Sequence, residues 1–300
     1  MTAEVRLLGA GDVRAIARRL GVQPTKKLGQ NFVVEPGTVR QIAAIAGPFG
    51  ADDVILEVGP GLGSLTLALI EASAQAGARV VAVEIDPVLA AELPATIAAH
   101  ALAHAGRVQV VTADALRIGP ADIENPTVIA ANLPYNVAVP VVLNLLAAFP
   151  SIGRGVVMVQ AEVADRMCAG PGGRVYGVPS AKLAWYAVAR PAGTVPRGVF
   201  WPVPNVDSKL VAFTRHESPV AGGREEVFAV IDAAFGQRRK TLRAALGTWA
   251  GSPAAAEEIL RAAGVSPSER GESLGIAEFA RIARAGIRSK SNLSSRPVAG

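Results

Sequence analysis

One cysteine, Cys168, stands in 300 residues. An internal disulfide is therefore excluded, and a reducing compartment is the expectation. Histidine is nearly as scarce, at three. His100 and His104 sit four apart in an alanine-rich stretch with no third ligand in view. They read as helix-surface residues, and no metal is expected. No run approaches the roughly 18 apolar residues of a membrane span. The first twenty residues carry Arg14, Arg18 and Arg19 but no apolar block of signal-peptide form. A soluble, cytoplasmic protein without a membrane partner is expected. No internal repeat is evident.

Apolar residues make up 50% of the chain, ample for a large core in one domain or two. The formal charge of +5 and pI of 9.7 are compatible with a nucleic-acid partner, through neutralisation of phosphates. Asp12 to Leu20 reads as a short basic helix, and Pro36 to Ala46 as a second, stopped by Gly47-Pro48. Between them Pro24 to Phe32 is a polar loop. Phe32 and Val33 make it either a flap folded over something or a staple onto the next helix.

From residue 54 to about 160, strands alternate with helices, which argues for a doubly wound parallel sheet. Val54–Val58 is a strand, Gly59-Pro60-Gly61-Leu62-Gly63-Ser64 a glycine loop, and Leu65 to Ala72 a helix. Such glycines let a ligand approach the backbone. Their G-x-G-x-G spacing departs from the dinucleotide G-x-G-x-x-G. Arg79–Glu84 ends in an acid placed to hold the hydroxyls of a ribose, while Asp86 before Pro87 is the natural helix cap. Asp114 follows the strand Arg107–Val111. It is either an acceptor for an amino group such as adenine N6 or a cap on a turn. Thr127–Ala131 delivers Asn132-Leu133-Pro134-Tyr135. That tetrapeptide is either a strand-to-helix punctuation or a site for a flat nitrogen base, with an acceptor, a fixed carbonyl and a ring to stack on. Gly155–Gln160 is a fifth strand, and Glu162 to Cys168 a helix.

The texture then changes. Gly170 to Arg174 reads as a flexible loop, and Lys182 to Val188 as an apolar segment. Phe200 and Trp201 are held by the prolines that follow, either to stack on bases or to cap the core. Lys209–Thr214 closes the sheet, and a boundary falls near Arg215 to Pro219. Beyond it the pattern is helical: Glu225–Phe235, 254–264 and 277–285. Arg238, Arg239, Lys240 and Arg243 cluster at the entry to one helix, as an RNA contact or a solvated face. The expected domains are 1–215 for the sheet and 216–288 for a small all-α unit, with 289–300 a disordered tail.

A nucleoside with its ribose on Glu84 and adenine near Asp114 is either NAD or S-adenosylmethionine. The glycine spacing and the tetrapeptide favour the second. The adenine N6 lone pair is delocalised into the ring. Acceptors set off the ring plane, the Asn132 amide carbonyl and a Leu133 or Pro134 backbone carbonyl, would turn it toward a methyl group. Tyr135 would stack on the base.

Seven stretches, in order, resemble the ribosomal RNA adenine N6,N6-dimethyltransferase family, most closely its bacterial small-subunit type. They are Lys27–Phe32, Leu56–Gly63, Val83–Asp86, Ala113–Ala115, Asn132–Tyr135, Pro202–Ser208 and Phe235–Leu242. The resemblance covers about Pro24 to Arg284, and Val33-Val34-Glu35-Pro36 departs only conservatively from the usual Leu-Val-Asp-Pro. It implies a Rossmann-like α/β methyltransferase sheet with a small C-terminal all-α domain. It implies S-adenosylmethionine contacts at Asn31, Val33, Gly59, Glu84, Asp114 and Asn132. It implies dimethylation of two adjacent adenines near the 3′ end of the small-subunit (16S) RNA, within a partly assembled subunit, with a role in subunit biogenesis. RNA contacts are expected at Arg238, Arg239, Lys240 and Arg243, and a monomer is the expected state. Three rivals remain: a sister enzyme of large-subunit RNA, an assembly factor without turnover, and a NAD oxidoreductase.

Overall fold

The structure, a computed structural model, describes residues 4–22, 31–134, 137–217 and 223–294. Contacts divide the chain into two compact units, Met1–Asp165 with Val188–Arg215, and Arg166–Ala187 with His216–Gly300.

In the first unit, helix α1 (Ala10–Arg19) precedes the short strand β1 (Phe32–Val33). Then α2 (Pro36–Ala46), β2 (Val54–Val58), α3 (Ser64–Ser73), β3 (Arg79–Glu84), α4 (Pro87–Ala101), β4 (Val108–Thr112), β5 (Val128–Asn132), α5 (Ala138–Ala148) and β6 (Arg154–Gln160) follow. After α6 (Ala161–Cys168) and α7 (Val178–Leu183) the chain returns as β7 (Ala187–Val195), β8 (Phe200–Trp201) and β9 (Ser208–Arg215). The main sheet runs β4-β3-β2-β5-β6-β9-β7. Its first five strands are parallel, and β9 pairs antiparallel with β6. Every residue of β2 is buried, as a parallel strand covered by helices on both faces requires.

Local chemistry sets the helix starts. Glu35 caps α2 by accepting from the Gly37 and Thr38 N–H groups at 2.8 and 2.5 Å. Asp86 caps α4 by accepting from Val88 N–H at 2.9 Å, with Pro87 at the first turn. Arg19 ties α1 to α4 through two bonds to the buried Glu92, at 3.0 and 2.5 Å.

Several expectations are corrected. The helical run Pro87–Arg107 is long and apolar enough to cross a membrane by length and composition alone. Its Leu89, Leu93, Ile97 and Ala101 instead enter the core cluster of the first unit. His100 is buried rather than on the surface: Nδ1 donates to the Arg6 carbonyl and Nε2 accepts from the Arg6 guanidinium, each at 2.9 Å. His104 is held by Arg107. Lys182 to Val188 is not one segment but the end of α7 and the start of β7. β7 tolerates Pro191 because it is the sheet's last strand, where one missing N–H costs no ladder bond. Phe32 and Val33 pair with Trp201 and Phe200 in a separate two-stranded ladder, with the Phe32 and Trp201 rings stacked at 6.4 Å.

The second unit is helical: α8 (Arg224–Gly236), α9 (Leu242–Ala245), α10 (Gly247–Ala250), α11 (Pro253–Ala262) and α12 (Ile276–Ser294), with α7. Residues 166–187 belong with it rather than with the sheet. Tyr176 explains this, since its ring lies edge-on to Phe235, which packs on Phe279, and its hydroxyl donates to the Leu274 carbonyl at 2.8 Å. Residues 289–294 continue α12 rather than forming a tail, because a nucleated helix adds residues at little cost. Residues 295–300 lie outside the described residues.

Candidate active site

The parallel strands all deliver their carboxyl ends to one edge. There the backbone leaves the sheet at Gly59, Asp114 and Asn132, and Glu84 closes β3. A cavity of 240 Å³ lies at this edge. Asn31, Val33, Gly59, Glu84, Asp114 and Asn132 line it, as do Leu133 and Pro134. Tyr135 lies outside the described residues, as do residues 27–30 of the first motif.

The glycine loop turns under steric necessity. Gly61 has φ +56°, and a Cβ on it would lie 2.9 Å from the Phe32 ring. Gly63 has φ +96°, and its Cβ would meet Leu93 at 2.9 Å. Only glycine takes these left-handed angles at such close approach.

Glu84 is 5% exposed. Its carboxylate accepts from the Gly61 and Asp86 N–H groups, one on each oxygen, both at 3.0 Å. Burial raises its pKa, against the pull of those backbone donors. Ile85 N–H also pulls on the carboxylate, and the acceptor capacity left over is open to a ligand hydroxyl. Asp114 accepts from Leu116 N–H at 2.9 Å and has Arg117 at 3.8 Å. It therefore does cap a turn, while its residue still lines the cavity. Asn132 Nδ2 donates to the Asn31 carbonyl at 3.1 Å, which fixes the amide plane. With the nitrogen so engaged, the amide carbonyl is the group that can accept from an amine. Pro134's carbonyl accepts from Val137 N–H at 3.2 Å.

Two residues at this edge escaped notice in the sequence. Glu57, on β2, is 1% exposed and accepts from Thr66 Oγ1 at 2.6 Å. Burial, with the charge of Glu84 adding to it, pushes its pKa up to about 8 despite that bond. Ser64 lines the cavity, and its hydroxyl has no hydrogen-bond partner among the described residues. The signal for Glu57 was an acid inside an otherwise apolar strand. A serine opening a helix looks like an ordinary cap, so Ser64 gave none.

The basic cluster lies in the second unit, and it divides. Arg238 pairs with Glu272 at 2.9 Å and donates to the Arg174 carbonyl at 2.7 Å, and Arg243 pairs with Glu257 at 2.7 Å. Arg239 and Lys240 are exposed, and no ion pair among the described residues reaches them. No group of three or more metal-ligating side chains occurs among the described residues.

The family model described as ribosomal RNA adenine dimethylase matches residues 22–285. A ribosomal RNA small subunit methyltransferase A from Kineococcus radiotolerans is 64% identical over 92% of this chain and 91% of its own length. One from Thermobifida fusca is 62% identical over 94% of this chain and 97% of its own. Among solved structures, the 23S rRNA methyltransferase ErmE superposes with a TM-score of 0.60 and 25% identity, over 85% of this chain and 99% of its own. A dimethyladenosine transferase from Plasmodium falciparum gives 0.69 and 23%, over 83% and 94%, a likeness of fold.

Proposed function

This chain belongs to the ribosomal RNA adenine dimethylase family, and from that premise we propose how its own residues perform the reaction. It is an enzyme that dimethylates N6 of adenines in small-subunit ribosomal RNA. The carrying observation is that positions from five separate segments of the chain, Asn31 and Val33, Gly59, Glu84, Asp114 and the Asn132 turn, line one cavity.

The cavity suits S-adenosylmethionine as donor. Its lining offers the carboxylates of Glu84 and Asp114 and, among the described residues, no lysine or arginine. A dinucleotide pyrophosphate would want such cations, whereas a cationic sulfonium prefers their absence. Glu84 would hold the ribose hydroxyls and Asp114 the adenine amino group, with Gly59, Asn31 and Val33 along the methionine part. When bound, the donor supplies an electrophilic methyl group.

The protein's share is orientation. The Asn132 amide carbonyl accepts one N6–H of the target adenine. Leu133's carbonyl takes the other, since Pro134's already accepts from Val137 N–H. Both acceptors sit off the ring plane, draw the nitrogen toward a tetrahedral shape and aim its lone pair into the cavity. Holding the two reacting atoms in line replaces a random encounter and supplies much of the rate. The proton leaves N6 once the new bond has formed, so no strong base is needed. A base from a paired region must first be extruded. Tyr135 stacks on it, worth about 1–3 kcal/mol.

The substrate is two adjacent adenines near the 3′ end of the small-subunit RNA, presented by a partly assembled subunit in the cytoplasm, and the enzyme acts as a monomer. The second unit grips RNA phosphates through Arg239 and Lys240, while Arg238 and Arg243 position that surface. Neutralising Arg239 and Lys240 should lower the slope of log affinity against log salt by roughly one to two; an unchanged slope returns the pair to a solvated face.

Labelled methyl transfer to unmethylated small subunits tests the function, with large subunits alongside. Dimethyladenosine in small-subunit RNA alone supports it. Label in large-subunit RNA would move the chain toward the ErmE-like activity. No label with donor bound would leave an assembly factor.

A further inference from the structure

Helix α12 buries one face and charges the other. Phe279, Ala280, Ile282, Ala283 and Gly286 are buried, at the spacing of a helix face turned to the core of its unit. Arg281, Arg284 and Arg288, three and then four residues apart, share the exposed opposite side. A groove of 450 Å³ lies there, lined by these three arginines and by residues at the end of α11. Ala262, Ala263 and Ala285 keep part of its lining small and apolar.

Other arginines of this unit are matched by acids: Arg238 by Glu272, and both Arg243 and Arg261 by Glu257. On the groove Arg281 is matched too, by Glu278 at 3.1 Å, and it donates to the Ala263 carbonyl at 3.1 Å. Arg284 and Arg288 differ, since no ion pair or side-chain hydrogen bond among the described residues reaches either. Two like charges one turn apart on a helix destabilise it. Glu258 is the one acid in the lining, and it leaves the groove net positive. Its neighbour Glu257 turns to Arg243 instead, so this groove is a different place from the cluster at 238–243.

The lining also says what kind of anion fits. Guanidinium groups present planar forks of donors that match phosphate oxygens two at a time. Among the described residues the groove has no aromatic ring on which a base could stack and no side-chain amide to read a base edge. Arg284 and Arg288 stand about 6 Å apart along the helix axis, which lets them meet successive phosphates of one strand. We propose that this groove is a second contact for the backbone of the ribosomal RNA, with Arg284 and Arg288 each taking a phosphate while Arg281 holds the wall. The assignment rests on the substrate reading above and adds a surface to it. Contacts of this kind position the RNA and leave the choice of base to other residues.

The test titrates wild type and an Arg284→Gln, Arg288→Gln double variant against unmethylated small subunits, and against protein-free small-subunit RNA, over a range of salt. Glutamine keeps the helix propensity. Loss of two phosphate contacts should lower the slope of log affinity against log salt by about 1.4–1.8, at roughly 0.7–0.9 for each contact, on both probes. Arg284→Lys with Arg288→Lys keeps the charges and should keep the slope. The free glutamine variant should melt at or above the wild-type temperature, since the repulsion on α12 has gone. An unchanged slope in the glutamine variant, or a slope lost with lysine as well, overturns the assignment. A change seen with subunits and absent from bare RNA makes the occupant an acidic protein face and overturns it too. A wild type that binds neither probe overturns the substrate reading itself, and this assignment with it.

Discussion

The two ends of the central sheet treat their carboxylates in opposite ways. At the amino ends of the strands, Asp53 is surrounded by donors. Thr127 Oγ1 reaches it at 2.6 Å, Arg154 Nη2 at 2.9 Å and Gly50 N–H at 2.8 Å. Arg154 also donates to the Ala46 and Pro48 carbonyls at 3.1 and 2.7 Å. Burial raises the Asp53 pKa, but the Thr127, Gly50 and Arg154 donors together outweigh it and hold the acid below its usual range. At the carboxyl ends, burial wins at both Glu57 and Glu84, and Ser64 is left unpaired. One edge has satisfied itself and serves stability. The other holds buried groups at a cost in free energy, beside the cavity that the proposed donor would fill.

The largest effect should come from breaking the unsatisfied edge at its reacting point. Asn132→Ala removes the amide carbonyl proposed to accept from N6 and the bond to Asn31. Loss of one oriented polar group at a reacting centre typically slows turnover by about 10²–10³-fold. Donor affinity should stay within about tenfold, or ~1.4 kcal/mol, because Glu84 and Asp114 are untouched. Methyl transfer kinetics beside a donor titration check both numbers. Near-wild-type turnover would remove the amine-orienting role.

At the satisfied edge the expectation reverses. Asp53→Ala should cost about 2 kcal/mol of stability, because Thr127 loses its acceptor while Arg154 keeps two carbonyls. Turnover of the folded variant should not change. The pH dependence carries the sign. A carboxylate whose folded pKa is depressed stabilises above its unfolded pKa, about 3.9, and loses that contribution as pH falls through the folded value. The gap between wild type and variant in a denaturant titration should therefore be full at pH 6 and close below pH 4. A gap that persists at low pH would mean Asp53 acts through packing alone.

Legibility in the sequence followed how local the cause was. The apolar runs of β2 and β3, the glycine loop and the division of labour between Glu84 and Asp86 are set within a few residues, and the chain displays them. Asp86 does cap α4, and Glu84 does face the cavity. What stayed hidden depends on partners distant in sequence. Residues 166–187 join the helical unit because Tyr176 packs with Phe235, a contact no periodicity announces. β7 hides behind Pro191 and Gly193, which read as loop until its place at the end of the sheet is known. His100 is buried because Arg6, far back in the chain, wraps both ring nitrogens. Phe200 and Trp201 resolve only when β8 is seen against β1. Ser64 is the same case at the site: what makes it notable is the lack of a partner, and only three dimensions show a lack.

The smallest effect sharpens the contrast most. Glu57 is an acid whose folded pKa is raised, so its pH dependence should run opposite to that of Asp53. Folded protein keeps the proton up to about pH 8, while the unfolded chain releases it near 4.5. The stability tied to that proton is present below the unfolded pKa and drains away as pH rises toward the folded one. Glu57→Gln keeps an oxygen for the Thr66 hydroxyl and has nothing to titrate. Near pH 5 the variant should trail by about 2 kcal/mol, because its second amide hydrogen enters the buried site unpartnered. Near pH 8 the variant should lead by about 1 kcal/mol, a net figure, because the second amide hydrogen enters the buried site unpartnered and offsets part of the gain. Denaturant midpoints at the two pH values check it. Parallel profiles would mean that water reaches Glu57 and that the carboxyl edge is less strained than the amino edge is satisfied. Crossing profiles would make Glu57 and Asp53 two carboxylates on one sheet, stabilised by opposite protonation states.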